Sequence, residues 1–511
     1  MKPTNNRRQA DVLLIHPPWF RLQGSNLIPF PAGPCHIAAV LEKAGISSLV
    51  WNGDYDFQPV MSMGGTNLIN TRELVQAHTH YLTMLENLQH PIWSEVLSII
   101  QIVQPKAIGI SSYTASYKSA CNLARVIKRA YPQLPVVLGG IHPTIAVDEI
   151  LSATRLFDVL ALGESEKNVV SLFSYLIEHG LRQEGLASIK GIAYWADQIV
   201  KTEPAEIEPT LDNIPFPARH LMIDVDQMPP AAHQAIYGFR GCPYQCIFCA
   251  SFNLFGRKPR LRSAASIVRE MRQVHRQFGT KYFYICDDLF LYDRQRVLEF
   301  CRLLGSARPR LYFSLQTRGE MMDSELLASL KKAGCQHIAV GVEVGDEEIR
   351  KKIKKGNTVE QMRKASTMIR AHGLRMSGFF MFGFPWETKE HMTKTLDLME
   401  EIDPFIAFPY IVTPAYGTEL NKIAQQMELI PHHLDLSSFS HTSPKMGLTQ
   451  NIPEEEKEQL IDHILQRFSR HNKRNLRFDF FRRPLFYFYF VRDSGILKSP
   501  RTIFHYLKNL F

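Results

Sequence analysis

At 511 residues the chain is too long for one ordinary hydrophobic core, which predicts two to four domains, and 45% hydrophobic with 21% charged residues marks it as globular. No stretch reaches the roughly 18 apolar residues of a membrane span, and the polar residues 1–9 followed by a strand-length apolar run at 11–15 lack the pattern of a signal peptide. A cytoplasmic location is therefore expected, a compartment in which thiols stay reduced.

The first third alternates short apolar runs with helical patterns. Strand-like segments at 11–16, 48–51, 107–112, 135–138 and 157–162 are separated by amphipathic stretches such as 37–44 and 117–130, which predicts an α/β fold with a doubly wound parallel sheet. Such sheets bind ligands beyond the carboxyl ends of their strands. The residues there are Ser111, Ser112, Tyr113 and Thr114, then Gly139, Gly140, Ile141 and His142, then Gly163 and Glu164. Glycine lets a flat ligand approach the backbone and serine supplies hydroxyl groups, although Gly-Gly turns are common on their own.

Together, over most of residues 10–175, these loops resemble the cobalamin-binding domain. The resemblance implies that Ser111, Ser112, Tyr113, Gly139, Gly140, His142, Gly163 and Glu164 contact cobalamin. Members that ligate cobalt through histidine carry D-x-H-x-x-G before the first helix, and residues 28–33 put Phe30 at that histidine's place. The resemblance then implies a cobalt whose lower face lacks a strong protein ligand. His16 is near enough in sequence to be an alternative, but a lone histidine such as His16 or His142 is more often a turn residue with satisfied nitrogens.

Residues 176–234 read as a connector: a hairpin with arms at 191–195 and 199–202, then an extended segment punctuated by Pro204, Pro209, Pro215 and Pro217. After the apolar residues 235–237 comes Cys242-Pro243-Tyr244-Gln245-Cys246-Ile247-Phe248-Cys249, with the spacing C-x3-C-x2-C. A cubane 4Fe-4S cluster takes four thiolates, and this loop offers three, which leaves one iron open. A zinc loop would need a second matching pair, and none exists. Cys35, Cys121, Cys286, Cys301 and Cys335 are scattered singly in apolar surroundings and read as small core residues.

Strand and helix then alternate again, with strands at 282–286, 311–316, 337–343, 375–382 and 405–412 and helices such as 266–278 and 324–333. Six such units predict a partial (β/α)6 barrel with its chemistry at the carboxyl ends of the strands. Over residues 235–425 the chain resembles the radical S-adenosylmethionine (SAM) superfamily, with Phe248 matching the aromatic before the last cysteine. The resemblance implies that Cys242, Cys246 and Cys249 hold the cluster and that SAM chelates the open iron. It places Asp287 and Asp288 at the SAM ammonium, Gln316, Arg318 and Glu343 around the nucleoside or methionyl end, and Gly378 and Met381 against adenine. The ordinary readings are helix caps for the acids and tight turns for the glycines. The run at 350–355 (Arg-Lys-Lys-Ile-Lys-Lys) reads as a solvated helix face with no assigned function.

The two resemblances together match cobalamin-dependent radical SAM enzymes, the group that includes hopanoid methylases and the anaerobic magnesium-protoporphyrin ester cyclase. What they imply is C-methylation of an unactivated carbon through a 5'-deoxyadenosyl radical and methylcobalamin, with cyclisation or oxidative rearrangement as the alternative and a flavodoxin- or ferredoxin-type protein as one-electron reductant. A tRNA methylthiotransferase would need three further cysteines in the N-terminal domain, where only Cys35 and Cys121 occur. A non-catalytic cobalamin sensor would need neither the triad nor the barrel motifs.

The formal charge of +9 is concentrated at the end: residues 470–511 carry ten Lys or Arg against Asp479 and Asp493, interleaved with an aromatic run at 485–491. That mixture suits either peripheral contact with anionic lipid or aromatics packed on the main domain with solvated arginines, and a small-molecule or lipid-like substrate. Nucleic acid is not expected as a partner. Residues 426–511 are read as a mainly helical basic and aromatic region that carries no derivable chemistry.

Overall fold

The computed structural model describes residues 8–24, 29–56, 71–431 and 448–482, with side chains for all but 71–75 and 480–482. The sequence reading of the aromatic run at 485–491 lies outside the described residues. The chain divides into two compact units, whose described parts are residues 8–24, 29–56, 79–228 and 251–256, and residues 71–78, 229–250, 257–431 and 448–482.

In the first unit, β1 (Val12–His16), β2 (Ser48–Asn52), β3 (Ala107–Ser111), β4 (Val136–Gly139) and β5 (Val159–Ala161) form a parallel sheet in the order β2-β1-β3-β4-β5. All five residues of β1 are buried, as a central strand covered on both faces requires, which is why it reads as an unbroken apolar run. The strand order reverses between β1 and β3, the switch point at which such sheets open a crevice. The hairpin β6 (Ile192–Trp195) and β7 (Ile199–Lys201) extends this sheet antiparallel to β5, so it belongs to the first unit instead of standing apart as part of the connector.

The second unit opens with β8 (Ala235–Ile236) and a two-residue antiparallel pair, β9 (Phe239–Arg240) with β10 (Arg260–Leu261). It continues with β11 (Tyr282–Ile285), β12 (Tyr312–Thr317), β13 (Cys335–Glu343), β14 (Arg375–Phe382) and β15 (Ile406–Ile411). These pair in parallel in the order β8-β11-β12-β13-β14-β15, with β8 and β15 as the two edges, an open arc of six strands. Helices Ala264–Phe278, Arg294–Gly305, Ser324–Ala333, Val359–Ala371 and Lys389–Ile402 alternate with the strands. The side chains of Ser263, Asp293, Asp323, Thr358 and Thr388 cap their first turns, each worth about 1 kcal/mol.

Alternation along the strands divides the sheet. One face, with Phe283, Ile285, Phe313, Leu315, Val340, Phe380 and Phe382, packs into the helical core. The other carries Tyr284, Gln316, Phe379, Phe408 and Tyr410, which are only half-buried.

The C-terminal helix Glu454–Arg482 closes the β15 edge. Phe468 sets its ring edgewise on Phe380 and Phe382 at 5.4 and 5.8 Å. The carboxamide of Asn472 accepts from the Ala407 N–H (2.8 Å) and donates to the Ala407 carbonyl (2.9 Å), satisfying the outward backbone groups that an edge strand leaves bare. Arg375 and Asp479 form a largely buried ion pair at the same junction. Within the region without derivable chemistry, this helix is therefore an edge seal.

Candidate functional site

The first unit gathers its candidate loops at the carboxyl ends of β3, β4 and β5. Ser112 donates its backbone N–H to the Gly139 carbonyl (2.8 Å) and accepts at its own carbonyl from the His142 N–H (3.3 Å). The Thr144 hydroxyl donates to the Gly140 carbonyl (2.8 Å) and accepts from the Gly163 N–H (2.9 Å). Gly140 has φ +101°, and a Cβ there would lie 2.6 Å from the Ser112 carbonyl oxygen, so only glycine permits this crossing.

Around the crossing the floor is bare. Among the described residues nothing lies within 4 Å of where Gly163 would carry a Cβ, and the nearest atoms are 3.4 Å away at Gly33 (Ser111 Oγ) and 3.8 Å at Gly139. A floor of small residues bordered by hydroxyl groups fits a large flat ligand such as cobalamin.

His142, His16 and Phe30 are all packed inside this unit. His142 is buried, its Nδ1 is 3.2 Å from the Thr114 hydroxyl, and its ring lies 4.2 Å from that of Tyr117. Burial pulls its pKa down to about 4, so it is a neutral turn residue. His16 is buried beside Asp54, with Nε2 to Oδ2 at 3.6 Å. Phe30 is buried too, with the Arg219 guanidinium 4.4 Å above its ring. Tyr113 is exposed, while Glu164 is buried.

In the second unit the cysteine loop follows β8 and β9. Cys242, Cys246 and Cys249 are free thiols, all half-buried, whereas Cys35, Cys301 and Cys335 are buried as expected and Cys121 and Cys286 are half-buried. The loop is pinned through Ile247, whose N–H donates to the Ile353 carbonyl (3.2 Å) and whose carbonyl accepts from the Leu420 N–H (2.9 Å). Phe248 lies 5.9 Å from Phe384. Among the described residues no three His, Cys, Asp or Glu side chains converge as ligands of a single ion, while a cubane spreads its thiolates over separate irons. The donor set of three reduced, half-buried thiols on one held loop fits the cluster.

The acidic pair after β11 splits. Asp287 is buried, accepts from the Gly238 N–H (2.5 Å) and pairs with Arg296 at 3.4 Å; burial pushes its carboxyl up, with Arg296 opposing. It anchors the β8–β9 connection and is not placed to meet an ammonium, whereas Asp288 is exposed. Gly378 lies where a Cβ would come within 2.7 Å of the Phe380 ring on the core face. Met381 faces the other way, among Ile247, Phe384 and Val412. Gln316 spans Tyr284 and the Cys286 carbonyl, both at 3.3 Å.

The charged run is the clearest correction. Lys351, Lys352 and Lys354 are exposed, but Arg350 and Lys355 are buried. Lys355 binds Glu343 at 2.6 Å, and Glu343, with φ +65°, ends β13 in a left-handed conformation that non-glycine residues rarely hold. Arg350 donates to the carbonyls of Val342 (2.8 Å) and Val344 (2.5 Å) and to Asn357 (2.7 Å). The signal in the sequence was Ile349 and Ile353, buried neighbours that turn one side of the run inward.

One further residue escaped the sequence reading. Glu387 is fully buried; one carboxyl oxygen accepts from the N–H groups of Gly383 (2.7 Å) and Phe384 (2.8 Å), and the other has no partner among the described residues. Burial pushes its pKa up to about 8, so near neutrality it is protonated and holds the loop after β14 without adding charge.

A model of the radical SAM superfamily matches residues 236–399 and one of the B12 binding domain matches residues 66–173. Residues 236–399 thus carry a radical SAM domain and residues 66–173 a B12-binding domain, which imply a 4Fe-4S cluster, SAM and cobalamin as cofactors. It is 26% identical over 344 residues to an uncharacterized methyltransferase of Pyrococcus horikoshii, covering 67% of this chain and 74% of that one. It is 25% identical over 396 residues to the anaerobic magnesium-protoporphyrin IX monomethyl ester cyclase of Rubrivivax gelatinosus, covering 76% and 69%. Its fold is similar to that of the radical SAM methyltransferase TsrM of Kitasatospora setae, solved with cobalamin and a [4Fe-4S] cluster, with TM-score 0.60 and 18% identity over 82% of this chain and 78% of that one.

Proposed function

We propose that the enzyme transfers a methyl group to an unactivated carbon of an apolar substrate. The observation that carries the reading is the cysteine loop, with three reduced thiols at cluster spacing held by backbone bonds from Ile353 and Leu420. When bound, the cluster, SAM and cobalamin supply one-electron reduction, a hydrogen-abstracting radical and a methyl group. The chain's own work is to bind, orient and exclude water. Phe248, Asp288, Gln316, Glu343 and Met381 border the SAM position. Ser111, Ser112, Gly139, Gly140 and Gly163 would cradle cobalamin, with Phe30 where histidine-ligating members carry their histidine. The division into a cobalamin domain at 1–175, to whose sheet the hairpin of the following segment (176–234) is added, a radical SAM domain at 235–425 and a C-terminal region belongs to this reading.

The apolar substrate is supported by the open face of the second sheet. Phe379 stacks on Phe408 at 5.2 Å and lies 5.8 Å from Tyr410. His337, on the same face, bonds Ser377 at 2.6 Å and is held neutral by burial and by Arg375, with its pKa down to about 3. Phe379, Phe408 and Tyr410 make this stretch of the lining aromatic, which suits a flat apolar substrate.

A peripheral lipid contact is supported by Arg470, Lys473, Arg474 and Arg477, spaced along one face of the C-terminal helix beside Phe478, which is 63% exposed. No helix among the described residues is long and apolar enough to cross a membrane. Similarity to the ester cyclase favours cyclisation as the second reading.

The test is anaerobically purified, cluster-reconstituted protein loaded with cobalamin and given SAM and a strong reductant. Methyl transfer predicts cobalt bound one to one and both 5'-deoxyadenosine and S-adenosylhomocysteine; deoxyadenosine alone would favour cyclisation. Absence of bound cobalt would sink the proposed contacts of the first unit.

A further inference from the structure

We infer that Arg318 serves the cluster: its buried guanidinium donates to the Cys246 thiolate and raises the cluster's reduction potential. The side chain leaves the end of β12 and is 5% exposed. One terminal nitrogen lies 3.8 Å from Cys246 Sγ, within hydrogen-bonding range of sulfur, and the guanidinium sits 3.8 Å over the ring of Tyr244 in the same loop. Nε donates to Glu320 at 2.5 Å, and the other terminal nitrogen donates to the Lys355 carbonyl.

The fork has no freedom to swing away. Glu320 is itself held by Asn357 (2.7 Å), and Asn357 by Arg350 (2.7 Å), which is tied to two carbonyls around the end of β13. Three of the five guanidinium N–H groups are committed, one of them to sulfur, and the planar geometry fixes their directions.

Adding an electron to a cluster adds negative charge, and a charge-assisted donor on a ligand sulfur favours the more negative state. Burial keeps the interaction from being screened. Glu320 balances the net charge of the pair, so what reaches Cys246 is the directed N–H and the residual field. Arg318 thus acts on the electron transfer to SAM through a ligand of the cluster, as a positioning residue, rather than as a SAM contact.

This inference rests on the cluster assignment, which iron and sulfide content tests separately. The experiment uses the full chain, anaerobically reconstituted without cobalamin, SAM or substrate, as parent, Arg318→Gln, Arg318→Lys and Glu320→Gln. Each is assayed for iron and sulfide and titrated potentiometrically by EPR. Arg318→Gln should lower the reduced fraction at a fixed potential at least tenfold, a shift of about 59 mV for one electron. Arg318→Lys, which keeps the charge but loses the fork, should shift less in the same direction.

Glu320→Gln removes the counter-charge while leaving the guanidinium in place, and should shift the potential upward. This opposite sign keeps the inference testable if the Arg318 variants lose their clusters. Full iron with unchanged potentials, or a downward shift in Glu320→Gln, would overturn it. A parent chain that takes up no iron would overturn the cluster assignment instead.

Discussion

Replacing Glu387 by Gln should make the protein more stable at high pH while leaving it nearly unchanged at low pH. The carboxyl is fully buried, and its pKa stands at about 8 against an ordinary value of 4.5. A group whose pKa is raised by folding binds its proton more tightly in the native state. Its contribution is complete below the unfolded value and is lost as pH climbs through the window to the folded value. Between pH 4.5 and 8 the unfolded chain ionises Glu387 while the native chain does not, at 1.36 kcal/mol per pH unit. The loss accumulates to an upper limit of about 5 kcal/mol.

Gln presents a carbonyl oxygen to Gly383 and Phe384 as the carboxyl does, and it does not titrate. Urea unfolding of the reduced, cluster-free chain at pH 5, 6.5 and 8, followed by tryptophan fluorescence, measures the difference. Other titrating groups are common to both proteins and cancel. The Gln variant should gain on the parent at each step by an amount that grows toward pH 8. Parallel pH slopes would refute the claim that Glu387 is protonated in the native state.

Asn472→Leu should destabilise the second unit by about 1–3 kcal/mol for each of the two Ala407 backbone groups left unsatisfied, and a cost below about 0.5 kcal/mol in urea unfolding would deny the edge-sealing role. Phe30→His should alter the axial coordination of bound cob(II)alamin, read by EPR; an unchanged spectrum would return Phe30 to packing alone. Reversing Arg470, Lys473 and Arg477 to Glu should weaken sedimentation with anionic vesicles by 100-fold or more, since each basic residue near such a surface contributes about 1 kcal/mol. Equal sedimentation of parent and variant would leave these residues as a solvated helix face.

The first sheet was legible because parallel strands buried on both faces read as unbroken apolar runs, and the second because its apolar strands recur between helical patterns; β14 falls at the residues expected of it. The cysteine spacing and the three loops of the first sheet were equally plain, since chemistry there depends on residue type and order. What could not be read was the direction of individual side chains. Asp287 and Asp288 are identical neighbours, and only the approach of Arg296 and the Gly238 N–H makes one an anchor. Lys355 and Lys354 differ in burial because one meets Glu343 across the fold while the other reaches Glu419. The hairpin at 192–201 was recognised as a hairpin, but its docking on β5 depends on a long-range pairing that no local pattern records.

The two backbone bonds at Ile247 have a consequence for biosynthesis. Their partners, Ile353 and Leu420, lie far downstream in the chain, so the loop bearing the cysteines cannot take its held shape while those residues are still unsynthesised. Domains fold as units as they emerge from the ribosome, and here the unit is incomplete until Leu420 has appeared. Iron and sulfide would then be taken up only after the chain has been extended past Leu420, and a truncation anywhere before Leu420 would leave three thiols tethered in sequence without the two bonds that hold their loop.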